Sequence, residues 1–267
     1  MKTKIIYSLA IVVVLLLSCK QESKIDFSFA ENERYMVFLP VGYDQNEEYY
    51  PVLYMLHGHG GDYMQWHSIT NLKQASDKYK FIIITPEGFH DTWYLNSKMI
   101  PEMQYEDYFI NDFMKRVESQ YRIDASRRGI TGLSMGGHGA IKFICKYPEK
   151  FLAAGSTSGI LDITMFTDRW GLKKHLGNYE NFQKNWEENS CNNLVKFLAG
   201  KENQIFVDCG VNDFAIEANR EFQNQARIYE VKLIYKEFEG AHTYDYWSKS
   251  VLHQLEFFDR VLNTKKE

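Results

Sequence analysis

The chain alternates short apolar runs with amphipathic stretches over most of its length. Residues 34–39 read as a strand that Pro40 ends. Residues 51–56 form an apolar run bounded by a Gly cluster, the pattern of a buried strand. Residues 63–79 have helical spacing. Residues 81–85 are a β-branched strand stopped by Pro86. Residues 106–121 predict an amphipathic helix with Phe109, Phe113 and Val117 near one face. Residues 129–132 are a short strand entering a Gly-rich turn, 139–147 a helix and 151–156 a strand. Next come a strand at 205–209, a helix at 217–229, a strand at 231–238 and a last helix at 248–262. Strands alternating with helices predict an α/β fold with a mostly parallel central sheet covered on both faces. Residues 161–200 break the alternation. They are rich in Trp, Asn and Lys and have no clear period, so they are expected to form a short insertion over the top of the sheet.

The first residues follow a different pattern. Lys2 and Lys4 precede an almost unbroken apolar run over residues 5–17. The run is shorter than the about 20 residues a membrane span prefers, so it reads as a signal h-region. Leu16-Leu17-Ser18-Cys19 then resembles a bacterial lipobox, which makes Cys19 the expected lipidation site. The division implied is a lipoprotein signal peptide at 1–18, an anchor and linker at 19–33, and one domain at 34–267. That length suits a single α/β unit. A lipid on Cys19 implies a membrane partner and a cell-envelope location. Lys20, where Asp would retain a lipoprotein at the inner membrane, favours the outer one. The net charge is −4 with no clustered basic face, so no nucleic-acid partner is expected. Cys145, Cys191 and Cys209 fit no metal spacing and read as small buried residues; an envelope location permits a disulfide but the sequence does not demand one.

Gly132-Leu133-Ser134-Met135-Gly136 matches Gly-x-Ser-x-Gly, in a strand–turn–helix context. The glycines remove side chains that would collide in a sharp turn, and the turn lifts the Ser hydroxyl above the sheet. Ser134 is therefore the expected nucleophile. A Ser hydroxyl needs a base to take its proton. Of His175, His242 and His253, only His242 lies in a loop after the last strand, so it is the expected base. The acid comes from the loop after the preceding strand, where Asp208 and Asp213 both qualify. Asp213, beyond Gly210-Val211-Asn212, is favoured, with a helix N-cap as its alternative role. Backbone amides of Met135 and His59, the latter in His57-Gly58-His59-Gly60-Gly61, are the expected oxyanion donors. His57 and His59 make a weak metal pair, and neither metal nor cofactor is expected. Trp93, Tyr94 and Trp247 are expected either to line a substrate pocket or to be core aromatics, and Tyr246 is equally open.

Together, residues 51–58, Trp93-Tyr94-x-Asn96, residues 132–137, Cys209-Gly210-x-x-Asp213 and Gly240-x-His242-x-x-x-Tyr246-Trp247 resemble the esterase D family. That family includes tributyrin-type esterases, S-formylglutathione hydrolases, feruloyl and acetyl esterases and antigen 85 relatives. The resemblance runs from about residue 34 to the C-terminus. It implies the α/β-hydrolase fold, a Ser134–Asp213–His242 triad, His59 and Met135 as oxyanion donors, and a serine carboxylesterase working through an acyl-enzyme. Ala241 stands where many members have a second Gly. Short-acyl or carbohydrate-linked acetyl and feruloyl esters are the expected substrates. Acyl transfer of antigen 85 type, an S-formylglutathione hydrolase-like thioesterase, and a non-catalytic binding protein on the same fold are the alternatives.

Overall fold

A computed structural model describes residues 29–264. The signal segment, Cys19 and most of the expected linker lie outside the described residues. Seven strands form one sheet: β1 (Tyr35–Phe38), β2 (Tyr50–Leu56), β3 (Ile82–Pro86), β4 (Ile123–Gly132), β5 (Ala153–Thr157), β6 (Gln204–Gly210) and β7 (Leu233–Phe238). Their order is β1-β3-β2-β4-β5-β6-β7, with β1 antiparallel to β3 and every other pair parallel.

The central strands read as unbroken apolar runs because both faces are covered. Along β2 the period of two sorts side chains between two cores. Val52, Tyr54 and Leu56 pack on one side with Phe109, Phe113 and Phe143, and Leu53 and Met55 pack on the other with Trp66, Val251 and Phe258. Edge strand β7 is only partly buried.

Ten helices fill in around the sheet among the described residues. The stretch expected as one helix at 63–79 is two, α1 (Gln65–Ile69) and α2 (Leu72–Tyr79). Thr70 is extended, and the Asn71 side chain accepts from the Gln74 amide to cap a new start. The amphipathic stretch after residue 105 runs as α3 (Tyr105–Tyr108), a π turn at Phe109–Phe113 and α4 (Met114–Glu118). Strand β4 starts six residues earlier than its pattern shows, because its pairing with β2 is interrupted between Tyr50 and Val52 and its middle is exposed. Helix α5 (Met135–Lys146) begins directly after Ser134. Residues 161–200 are not featureless: they contain α6 (Leu172–Leu176), α7 (Tyr179–Glu187), α8 (Cys191–Leu194) and two short 3-10 turns. Helices α9 (Ile216–Ile228) and α10 (Tyr244–Leu262) complete the chain, α10 starting before its expected position because Thr243 caps it by accepting from Tyr246 N.

Packing also begins before residue 34. Phe29 is buried against Phe89, Tyr105 and Tyr108, and Glu33 pairs with Arg116. Phe29 and Glu33, read from sequence as linker, thus pack against the domain, while the three residues between them are exposed. Cys145, Cys191 and Cys209 are buried and free.

Candidate active site

The loops after β2, β4, β6 and β7 gather at the carboxyl ends of the parallel strands, where open α/β sheets present their sites. Each carries one group that the sequence singled out.

Ser134 joins β4 to α5 with φ 54° and ψ −117°, a conformation costly for any residue with a Cβ. The surroundings hold it there. Its amide donates to Thr157 O at 3.1 Å and its carbonyl accepts from His138 N at 3.0 Å. The flanking glycines let the backbones meet. A Cβ on Gly132 would lie 2.2 Å from the Gly136 carbonyl carbon, and one on Gly136 would lie 2.2 Å from Leu56 O.

From this perch the Ser134 hydroxyl meets His242 Nε2 at 2.9 Å. His242 Nδ1 lies 3.0 Å from both carboxylate oxygens of Asp213. Asp213 is almost fully buried, and its Oδ1 also accepts from Ala215 N at 2.9 Å, so the carboxylate is fixed from behind as it faces the imidazole. Because a carboxylate only accepts, it selects the tautomer with the proton on Nδ1 and leaves Nε2 as an acceptor for the Ser134 hydroxyl. This is the geometry required of a nucleophile, a base and the group that orients the base. The Ala215 contact belongs to the turn before α9, whose N-cap is Ala215 without a side-chain cap, so Asp213 is not the helix N-cap that the sequence left open.

Asp208, the rejected carboxylate, is in a different place. It is sealed within the structure and accepts from Thr157 Oγ1, Tyr246 Oη, Ser250 Oγ and Gln254 Nε2. Burial pushes its carboxyl above the usual range, against the pull of these four donors. It ties β6 to α10, and Tyr246 is accounted for as one of its donors.

The amides of Met135 and His59 donate no hydrogen bond to another described residue. Met135 is the first residue of α5, whose opening amides have no partner within the helix and carry the positive end of its dipole. Two free amides beside the hydroxyl can hold a developing oxyanion. His57 is committed elsewhere: its Nδ1 lies 2.8 Å from Gly58 O, and its Nε2 lies 2.8 Å from Gly88 N. The ring of His59 stacks edge-on with His90 at 4.8 Å; burial, and then His90, lower its pKa. Among the described residues no three His, Cys, Asp or Glu side chains cluster to hold a metal ion.

The cleft over Ser134 measures about 200 Å³ and is walled by aromatic rings. Trp93 and Trp247 line it. Tyr94 does not: it is fully buried beneath the loop after β2, with its hydroxyl donating to His57 O at 2.9 Å. The left-handed backbone at Trp93 (φ 52°) and Tyr94 (φ 54°) accompanies this split, one ring in the cleft and the next under it. Three lining residues were not singled out in the sequence. Gln65 comes from α1. Trp170 comes from the aperiodic insertion. Phe214 follows Asp213 and lies 4.4 Å from the His242 ring, half exposed. Only its adjacency to Asp213 hinted at Phe214.

Comparison with known proteins identifies the family. Residues 28–258 match the Esterase family model, described as "Putative esterase". The chain is 27% identical over 235 residues to an acetyl esterase of Caldicellulosiruptor saccharolyticus, covering 82% of this chain and 86% of that protein. It is 24% identical over 200 residues to an S-formylglutathione hydrolase of Mus musculus, covering 67% and 70%. Among solved structures, a ferulic acid esterase superposes with a TM-score of 0.74 at 29% identity, covering 86% of this chain and 92% of that one. The chain belongs to the Esterase family and is a serine ester hydrolase of the α/β-hydrolase fold.

Proposed function

We propose that Ser134, His242 and Asp213 are the catalytic triad of a carboxylesterase acting on short-acyl or carbohydrate-linked acetyl and feruloyl esters. The observation that carries this reading is the unbroken line from Asp213 through His242 to the Ser134 hydroxyl. Ser134 Oγ attacks the ester carbonyl while His242 Nε2 takes its proton. The carbonyl oxygen becomes an oxyanion facing the amides of His59 and Met135. His242 then gives the proton to the leaving alcohol, and water activated by the same imidazole releases the acid from the acyl-enzyme. The small aromatic cleft and the acetyl and ferulic acid esterase relatives support this substrate class. Labelling with a fluorophosphonate probe, followed by a panel of acetyl, butyryl and methyl hydroxycinnamate esters, tests it. Labelling lost in Ser134→Ala and turnover fastest on acetyl or hydroxycinnamoyl esters is the expected result. Turnover that requires an added acceptor hydroxyl would point to acyl transfer instead. An unlabelled protein without turnover would overturn the assignment.

We also propose that the enzyme sits at the cell envelope, held in a membrane by lipid on Cys19. The lipobox-like Leu16-Leu17-Ser18-Cys19 supports it. Several acyl chains on one residue resist high-salt extraction, since salt screens charge and leaves acyl insertion intact. Mass spectrometry of the mature N-terminus should find lipidated Cys19, and an unmodified Cys19 would refute the anchor.

A further inference from the structure

We infer that Tyr94 is a positioning residue for the oxyanion amide, the keystone of a buried clamp on the loop after β2. The inference rests on the triad reading above, and it concerns how two linked peptide units are held rather than which residues react.

Two consecutive peptides in this loop have nearly every polar group assigned. The carbonyl of His57 accepts from the Tyr94 hydroxyl at 2.9 Å, and the next amide, Gly58 N, donates to Gln65 Oε1 at 2.7 Å. The peptide between His57 and Gly58 is thus gripped at both ends. The following carbonyl, Gly58 O, lies 2.8 Å from His57 Nδ1, whose ring is fixed by Gly88 N donating to Nε2 at 2.8 Å. An amide N–H can only donate, so Nε2 must accept and Nδ1 must carry the proton. The His59 amide, on the far side of that pinned carbonyl, is the one polar group of the two peptides with no partner among the described residues. Gly58 O, which also accepts from Gly61 N at 3.0 Å, fixes the direction of the His59 N–H because that peptide unit is planar, while Tyr94 and Gln65 hold the preceding peptide and so the Gly58 joint from which the His59 peptide is aimed.

Tyr94 is built into place from below. Its ring fills space that glycines leave open: a Cβ on Gly88 would meet its hydroxyl at 2.3 Å, and one on Gly139 would meet its ring at 2.6 Å. Its carbonyl accepts from Lys142 Nζ at 3.2 Å, and Lys142 is a fully buried cation paired with Glu106. A buried ion pair contributes little net stability once desolvation is counted. Here it places a donor under a left-handed turn, φ 54° at Tyr94, that would otherwise leave a buried carbonyl unmet.

Tyr94→Phe removes one hydroxyl and keeps the ring. Kinetics on a short-acyl ester should show kcat reduced roughly tenfold with KM changed less than about twofold, since a donor aimed at the transition state is displaced and the ground state is not. Affinity for a trifluoromethyl ketone, which forms a tetrahedral oxyanion on Ser134, should fall by the same factor. Gln65→Ala, which releases the other end of the same peptide from the rim of the site, should act likewise. The double variant should lose less than the product of the two effects. A merely structural role would lower the melting temperature and leave kcat and ketone affinity in place; that result overturns the inference. So would strictly multiplicative losses, or a rise in KM alone. Should Tyr94→Phe fail to fold, Gln65→Ala decides by the same split between kcat and KM. A wild-type protein without ester turnover would sink the triad reading itself, an outcome distinct from an active wild type whose variants are unimpaired.

Discussion

Asn in place of Asp213 tests the chemistry with the least change in shape. Both carboxylate oxygens lie 3.0 Å from His242 Nδ1, and Oδ1 also accepts from Ala215 N at 2.9 Å. In Asp213→Asn the Ala215 amide retains the side-chain oxygen at the Oδ1 position, because a backbone N–H can meet only an acceptor. The new NH2 then occupies the Oδ2 position and faces Nδ1. An N–H on Nδ1 would oppose it, so the imidazole shifts its proton to Nε2 and can no longer accept from Ser134. The expected loss in kcat is about two to four decades, or about 3–5 kcal/mol of transition-state stabilisation. Asp208→Asn is the control. Its carboxylate accepts from four donors and does not touch His242, and Gln254 Nε2 would face an amide N–H in the variant. That mismatch should cost about 1–3 kcal/mol of stability and far less activity. Steady-state hydrolysis of p-nitrophenyl acetate and urea unfolding of both variants separate the two outcomes. A larger fall in kcat for Asp208→Asn than for Asp213→Asn would refute the assignment of the acid.

Ser134→Gly should abolish fluorophosphonate labelling yet stabilise the fold by about 1 kcal/mol, since strain of about 1–3 kcal/mol at φ 54° is relieved against a smaller loss from glycine's chain entropy; a lowered melting temperature would show that no strain is stored there. Gly136→Ala should cost more than about 3 kcal/mol, because its Cβ would lie 2.2 Å from Leu56 O in a backbone that cannot yield; near-normal urea stability would contradict that crowding. Burial raises the Glu106 pKa, but Lys142 and Lys146 outweigh it and bring the carboxyl down to about 2 from its ordinary 4.5. A depressed carboxylate stabilises the fold above its unfolded pKa and loses that contribution as pH falls toward the folded one, so up to about 3 kcal/mol should disappear below roughly pH 4.5. Urea midpoints measured from neutral pH downward should drop over that window, and a Glu106→Gln/Lys142→Met double variant should drop less; parallel curves would exclude the pair as the cause.

Sequence periodicity located all seven strands because buried parallel strands must be apolar runs, and that signal is local. Gly-x-Ser-x-Gly marked Ser134 for a similar reason: the turn forbids side chains at Gly132 and Gly136, so the constraint is written into neighbouring residues. His242 followed from its place in a loop after β7. Chain order alone could only favour Asp213 over Asp208; their separation is a matter of the register between β6 and the loop beyond it, which turns one carboxylate to His242 and the other into α10. Tyr94 and Trp93 are adjacent and alike in composition, yet one lies under the site and one in it, since two left-handed residues and the Lys142–Glu106 pair decide their directions. Gln65, Trp170 and Phe214 come from three separate segments whose only common property is the cleft they enclose. Contacts of that kind depend on how distant elements dock, and no local pattern of residues encodes them.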